Sequence, residues 1–131
     1  MVSFDGQTTP NYYNDQWVPW AVQSPLLAYL GLYVASCYKA EALRIPVSKY
    51  TVAIKLKVIS ISLLNELLRS KDESTSDEAI AGVVHFITSE WYWGTTDNVQ
   101  AHMRGLREMV RLRGGLKNLG MNGLLMKMVV L

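Results

Sequence analysis

The stretch from Tyr50 to Arg69, YTVAIKLKVISISLLNELLR, admits two readings that lead to different folds. Ile54-Lys55-Leu56-Lys57-Val58 alternates apolar and charged residues like a strand, and the segment is rich in β-branched side chains. The helical reading places Tyr50, Ala53, Ile54, Leu56, Ile61, Leu64 and Leu68 on one broad face. The alternation slips phase at Val58-Ile59, and Asn65-Glu66-Leu67-Leu68-Arg69 is a strong helix former. Helix is the better reading, with one anomaly. Lys57 falls near the middle of the apolar face, where its ammonium must snorkel, find a carboxylate or face an opening.

Towards the N-terminus, Ser24-Pro25 is a helix start, with serine as N-cap and proline at the first helical position, where its missing N–H costs nothing. Leu26, Leu30, Tyr33 and Cys37 then share a stripe that Leu27 and Val34 widen, with Ala28, Gly31 and Ala35 small on the other side. So few polar positions predict a helix surrounded by other elements, the central one of the fold. Trp17, Val18 and Trp20 flank Pro19 and predict a short helical turn docking indoles on the core. Residues 1–16 carry Gly6, Pro10, Asn11 and Asn14 without a period and read as a flexible or irregular lead-in.

Beyond Arg69 the polar run Arg69–Glu78 is a solvated loop. Thr75 and Glu78 have the capping-box spacing and predict a helix start near residue 76. Its core face is Ile80, Val83, Val84, Ile87 and Trp91, with His85 opposite and exposed, and Gly94 ends it. Thr95-Thr96-Asp97 caps a further helix running to Arg113, broken by Gly114-Gly115, with Val99, Met103, Leu106 and Val110 as its buried stripe. The closing MNGLLMKMVVL is apolar and carries no helix end, so residues 17–131 read as one helical domain truncated at its C-terminus. Five helical segments without a strand pair predict an all-α fold, a multi-helix bundle or helical array belonging to a larger helical domain.

Composition narrows the function classes. The single cysteine, Cys37, lies in a predicted core stripe; it excludes a disulfide framework and a cysteine-rich zinc site. His85 and His102 are the only histidines and have no ligand spacing, so neither a metal site nor a cofactor is expected. No phosphate loop, nucleophile elbow or paired carboxylates appear, Glu66 and Glu90 standing isolated, and no enzyme is expected. The N-terminus lacks a secretory pattern, and the longest apolar run, Leu26–Tyr38, is too short for the ~20 residues of a membrane span. The expected location is nuclear or cytoplasmic, not secreted.

The stretch His102–Gly120, HMRGLREMVRLRGGLKNLG, supplies a family resemblance. His102, Gly105, Leu106, Met109, Arg113, Gly114, Gly115, Leu119 and Gly120 match the signature of the fungal-specific transcription factor domain. That domain is the helical regulatory region C-terminal to a six-cysteine zinc cluster in many fungal transcription factors. The resemblance implies a helical scaffold engaged in transcriptional regulation, with no catalytic residues to carry over. It departs from the family in lacking the zinc cluster, so direct DNA binding is not expected.

The candidate sites follow. His102, Gly105, Leu106, Arg113, Gly114 and Gly115 are signature positions with structural roles: His102 donating to a backbone carbonyl, Gly105 allowing close helix approach, Arg113 capping the helix at its glycine exit. Tyr92 and Trp93, turned away from the core face, join Lys57 as possible partner-binding residues. Arg104, Arg107 and Arg111 share one side of their helix, with Glu108 placed to pair with Arg111, and form a possible anion-binding stripe. The expected function is a non-enzymatic helical regulatory domain that acts through a protein partner, self-association or a small effector. The alternative is a weak nucleic-acid binder that uses the arginine stripe.

Overall fold

The computed structural model describes residues 18–120, and the expectations for residues 1–17 and for the apolar stretch 121–131 lie outside them. The described residues form five helices and no strand: α1 Val18–Ala21, α2 Pro25–Ala42, α3 Thr51–Arg69, α4 Asp77–Trp93 and α5 Thr96–Leu112. Short 3-10 turns at Val47–Lys49 and Leu116–Asn118 lead into α3 and follow α5. The ambiguous stretch is therefore helical from Thr51 to Arg69.

The helix ends have local causes. Ser24 caps α2, its hydroxyl accepting the Leu27 N–H at 3.2 Å, with Pro25 at the first position. The cap of α4 is Ser76, which accepts the Ala79 N–H at 3.2 Å, and not Thr75. Glu78 does not reach back to its own helix start as a capping box would; it accepts the Ser24 hydroxyl at 2.8 Å and ties the starts of α2 and α4 together. Thr95 caps α5 through the Asn98 N–H.

The exit from α5 needs glycine. Gly114 and Gly115 have φ of +93° and +105°, and the Gly115 and Gly114 amides bond back to the Val110 and Arg111 carbonyls, as in a Schellman motif. Arg113 does more than close its own helix. Its guanidinium donates to the Thr75 carbonyl at 2.8 Å and the Asn118 carbonyl at 2.5 Å, and pairs with Asp77 at 2.9 Å. The α5 exit is thereby fastened to the α4 start.

The core is built on α4, which packs against α2, α3 and α5 and buries nine of its residues. That corrects the expectation that α2 is central. Helix α2 does bury Leu26, Leu30, Tyr33 and Cys37, but Tyr29, Leu32 and Tyr38 are exposed on its other side. Small residues permit close approach to α4: a Cβ on Gly82 would stand 2.7 Å from the Leu26 side chain. Cys37 is fully buried, and burial pushes its thiol up, as fits a packing residue.

Several predicted faces are rotated. On α3 the buried residues are Ala53, Ser60 and Leu64, whereas Ile54, Ile61 and Leu68 are exposed. Ser60 satisfies its hydroxyl on the Leu56 carbonyl at 2.8 Å, which lets a polar residue sit in the contact. On α5 Met109 takes the place expected for Met103, which is exposed, because α4 meets the Val99–Leu106–Met109 side. At the end of α4, Trp91 is 74% exposed and not a core residue.

Candidate functional site

A groove of about 360 Å³ runs between α3, α4 and α5. Ile61, Leu64 and Leu68 line it from α3, Val83, Phe86 and Glu90 from α4, and His102, Gly105 and Met109 from α5. It explains the exposed Ile61 and Leu68: they face an opening between helices, not a packed neighbour. Lys57 stands at the same groove. His102 and Gly105, expected to have separate structural roles, and the signature residue Met109 are thus brought together with Lys57.

Lys57 answers its anomaly in two ways at once. Its Nζ donates to Glu90 Oε1 at 2.9 Å, and its side chain remains 36% exposed towards the groove. Glu90 is 5% exposed, and its other oxygen accepts the Thr95 N–H at 3.2 Å and Asn98 Nδ2 at 3.4 Å. Burial pushes the Glu90 carboxyl up, but the Lys57 hydrogen bond and charge, with Thr95 and Asn98, outweigh it and hold the pKa below its ordinary value. Glu90 is therefore not isolated, as the sequence reading had it. The signal was present: Ala79, Val83, Phe86 and Glu90 share one helical face, so a carboxylate and Lys57 both sat on apolar stripes.

Two α5 positions have different surroundings from those expected. The His102 ring stacks on Phe86, with centroids 6.2 Å apart, in place of the expected backbone carbonyl contact. A Cβ on Gly105 would meet no atom of the described residues within 4 Å, so this glycine does not mediate close approach between the described helices. It leaves space on the groove wall.

The aromatic candidates at the end of α4 separate. Trp93 turns inward: its indole Nε1 donates to Glu41 at 2.5 Å, and its ring meets Tyr38 edge-on at 5.2 Å. It clamps the end of α4 to α2, while Tyr92, 64% exposed, leans on it at 5.6 Å. Gly94 is fitted against the same carboxylate that holds Lys57, since a Cβ there would overlap the Glu90 side chain.

Arg104, Arg107 and Arg111 are exposed on α5. Arg111 donates to Glu108 through Nε at 3.0 Å and Nη2 at 2.5 Å, as the spacing predicted. Arg104 and Arg107 have no ion pair among the described residues. His85, expected to be exposed, is half-buried in a second cavity of about 320 Å³ lined by Val18, Leu27, Gly31 and Val34. Burial lowers its pKa to about 4. Among the described residues no group of acidic, histidine or cysteine side chains has a metal-binding arrangement, and no helix is long and apolar enough to cross a membrane.

No curated protein and no solved structure matches the chain. A family model described as the fungal specific transcription factor domain matches residues 1–128, which takes in every described helix and the whole His102–Gly120 signature. The chain belongs to the fungal specific transcription factor domain family, a family whose role is regulatory and not catalytic.

Proposed function

We propose that this chain is a non-enzymatic regulatory domain of transcription, acting in the nucleus, which responds to a partner or effector received in the α3/α4/α5 groove. The observation that carries the reading is the convergence of signature residues His102, Gly105 and Met109 with the Lys57–Glu90 pair on that groove. An apolar opening with a few fixed polar groups is the usual form of a binding site. The geometry favours binding over hydrolytic or transfer chemistry, because Glu90 is already committed to three internal donors, Lys57 is paired with it, and no serine, threonine or cysteine lines the groove.

The arginine stripe is the weaker reading. Arg111 is held by Glu108, which leaves Arg104 and Arg107 without an ion pair among the described residues and hence a small, salt-sensitive contribution to nucleic-acid affinity. Fusing the chain to a heterologous DNA-binding domain tests the regulatory reading. Reporter output should differ from that of the DNA-binding domain alone and should change when Gly105→Leu fills the groove. Identical output from all three proteins would sink the proposal.

A further inference from the structure

Gly105 lies in the interior of α5, where alanine would stabilise the helix by about 1 kcal/mol relative to glycine. Helical glycines commonly serve close packing, as Gly82 does against Leu26. Gly105 has no such neighbour among the described residues, for a side chain there would project into open groove. What the glycine does provide is room. At about 360 Å³ the groove falls at the lower end of the range for small-molecule sites.

Asn65 and His102 also line the groove as neutral polar groups, and its charged pair, Lys57 and Glu90, specifies the chemistry of an occupant. Lys57 has three N–H donors, one of which goes to Glu90. Among the described residues the others have no partner, and they are available to a group in the groove. The charge of Lys57 is not free in the same sense, because the buried Glu90 carboxylate already balances it at 2.9 Å. A carboxylate or phosphate entering here would lose its hydration and stand near Glu90 with no surplus positive charge to offset that loss. A pure hydrocarbon would cover the Lys57 N–H groups without pairing them. A neutral acceptor such as a carbonyl oxygen avoids both costs, while Phe86, Met109 and Leu68 take its apolar body.

We infer that the groove binds an uncharged, mostly apolar small molecule, with a carbonyl-type acceptor on Lys57 and its body in the space left by Gly105. This inference rests on the groove being the regulatory site for its biological meaning, but not for its chemistry. Three probes of nearly equal size separate the alternatives: benzylacetone, hydrocinnamate and n-butylbenzene, offered to the full chain at neutral pH and followed by saturation-transfer NMR. Benzylacetone should bind about ten-fold or more tightly than either of the others, a difference of about 1.4 kcal/mol. Gly105→Leu should abolish that binding while leaving the melting temperature unchanged or raised, and Gly105→Ala should retain it.

Binding of hydrocinnamate or n-butylbenzene as tight as that of benzylacetone, or no binding by any probe, overturns the ligand class. A lowered melting temperature in Gly105→Leu overturns the open groove, because it means that the chain itself or a second copy fills the space. The reporter assay is independent of these results. Ketone binding with an inert reporter fusion removes the regulatory reading and leaves the site; an active fusion that binds no probe does the reverse.

Discussion

At the residue scale, the Lys57–Glu90 pair holds the one buried carboxylate among the described residues. Glu90 is buried with a saturated carboxylate, so removing its cation leaves an uncompensated charge that no rearrangement of Thr95 or Asn98 replaces. Lys57→Met is expected to destabilise the fold by about 2 kcal/mol, less than the ~3–5 of a fully buried pair because Lys57 is partly solvated. The double variant Lys57→Met/Glu90→Gln should recover most of that loss in urea denaturation. The pH dependence has a definite sign. Glu90 has a depressed folded pKa, so its contribution is present above the ordinary carboxylate value and is lost as pH falls through the folded one. In Lys57→Met burial dominates, the Glu90 pKa rises, and the acid limb of the stability profile should move to higher pH. Lys57 and Glu90 each stand out in the sequence as a charge on an apolar stripe, but their pairing does not, because it spans α3 and α4 and only packing sets which stripes face each other.

At the element scale, the Arg113-Gly114-Gly115 part of the family signature is a device for ending α5 and fastening it. The glycine pair turns the chain back at positive φ, and Arg113 reaches across to the α4 start. Arg113→Gln should cost about 1–2 kcal/mol through lost hydrogen bonds to the Thr75 and Asn118 carbonyls and the lost pair with Asp77. Arg113→Lys should not restore it, since a single ammonium cannot serve the separated acceptors that the forked guanidinium spans. Thermal unfolding of the two variants checks both statements. The glycine exit and the Glu108–Arg111 pair were legible because they are local, within one turn of helix. The reach of Arg113 to Thr75 was not, because those residues are far apart along the chain.

At the scale of the whole molecule, two further expectations follow from how the helices assemble. His85 is neutral in the folded state, with its pKa lowered to about 4 by burial in a cavity lined by apolar residues of α1 and α2. An unfolded histidine binds its proton near pH 6.5, so the unfolded state takes up more protons between that value and about 4. Stability should therefore fall as pH drops through this window, by on the order of 1–2 kcal/mol given the partial opening of the cavity. His85→Leu should flatten that part of the profile while leaving the Glu90 limb in place. The second expectation concerns the outer sides of α2 and α3, where Leu32, Tyr38, Val52 and Val58 are exposed. An isolated chain should bind a hydrophobic dye or self-associate by light scattering, and Val58→Lys should reduce both.

By itself the sequence determined the all-α class, the extent of α3, the capped start of α2, the glycine exit of α5 and the family. These rest on 3.6-residue periodicity, capping chemistry and backbone sterics, which act within a few residues along the chain. Only the tertiary structure decided that α4 is the central helix, that Trp93 turns inward while Trp91 faces out, and that Ile61 and Leu68 border an opening. The physical reason is the same in each case. A helix with apolar residues on more than one side has several faces it can bury, and the rotation it adopts is chosen by the helices it meets.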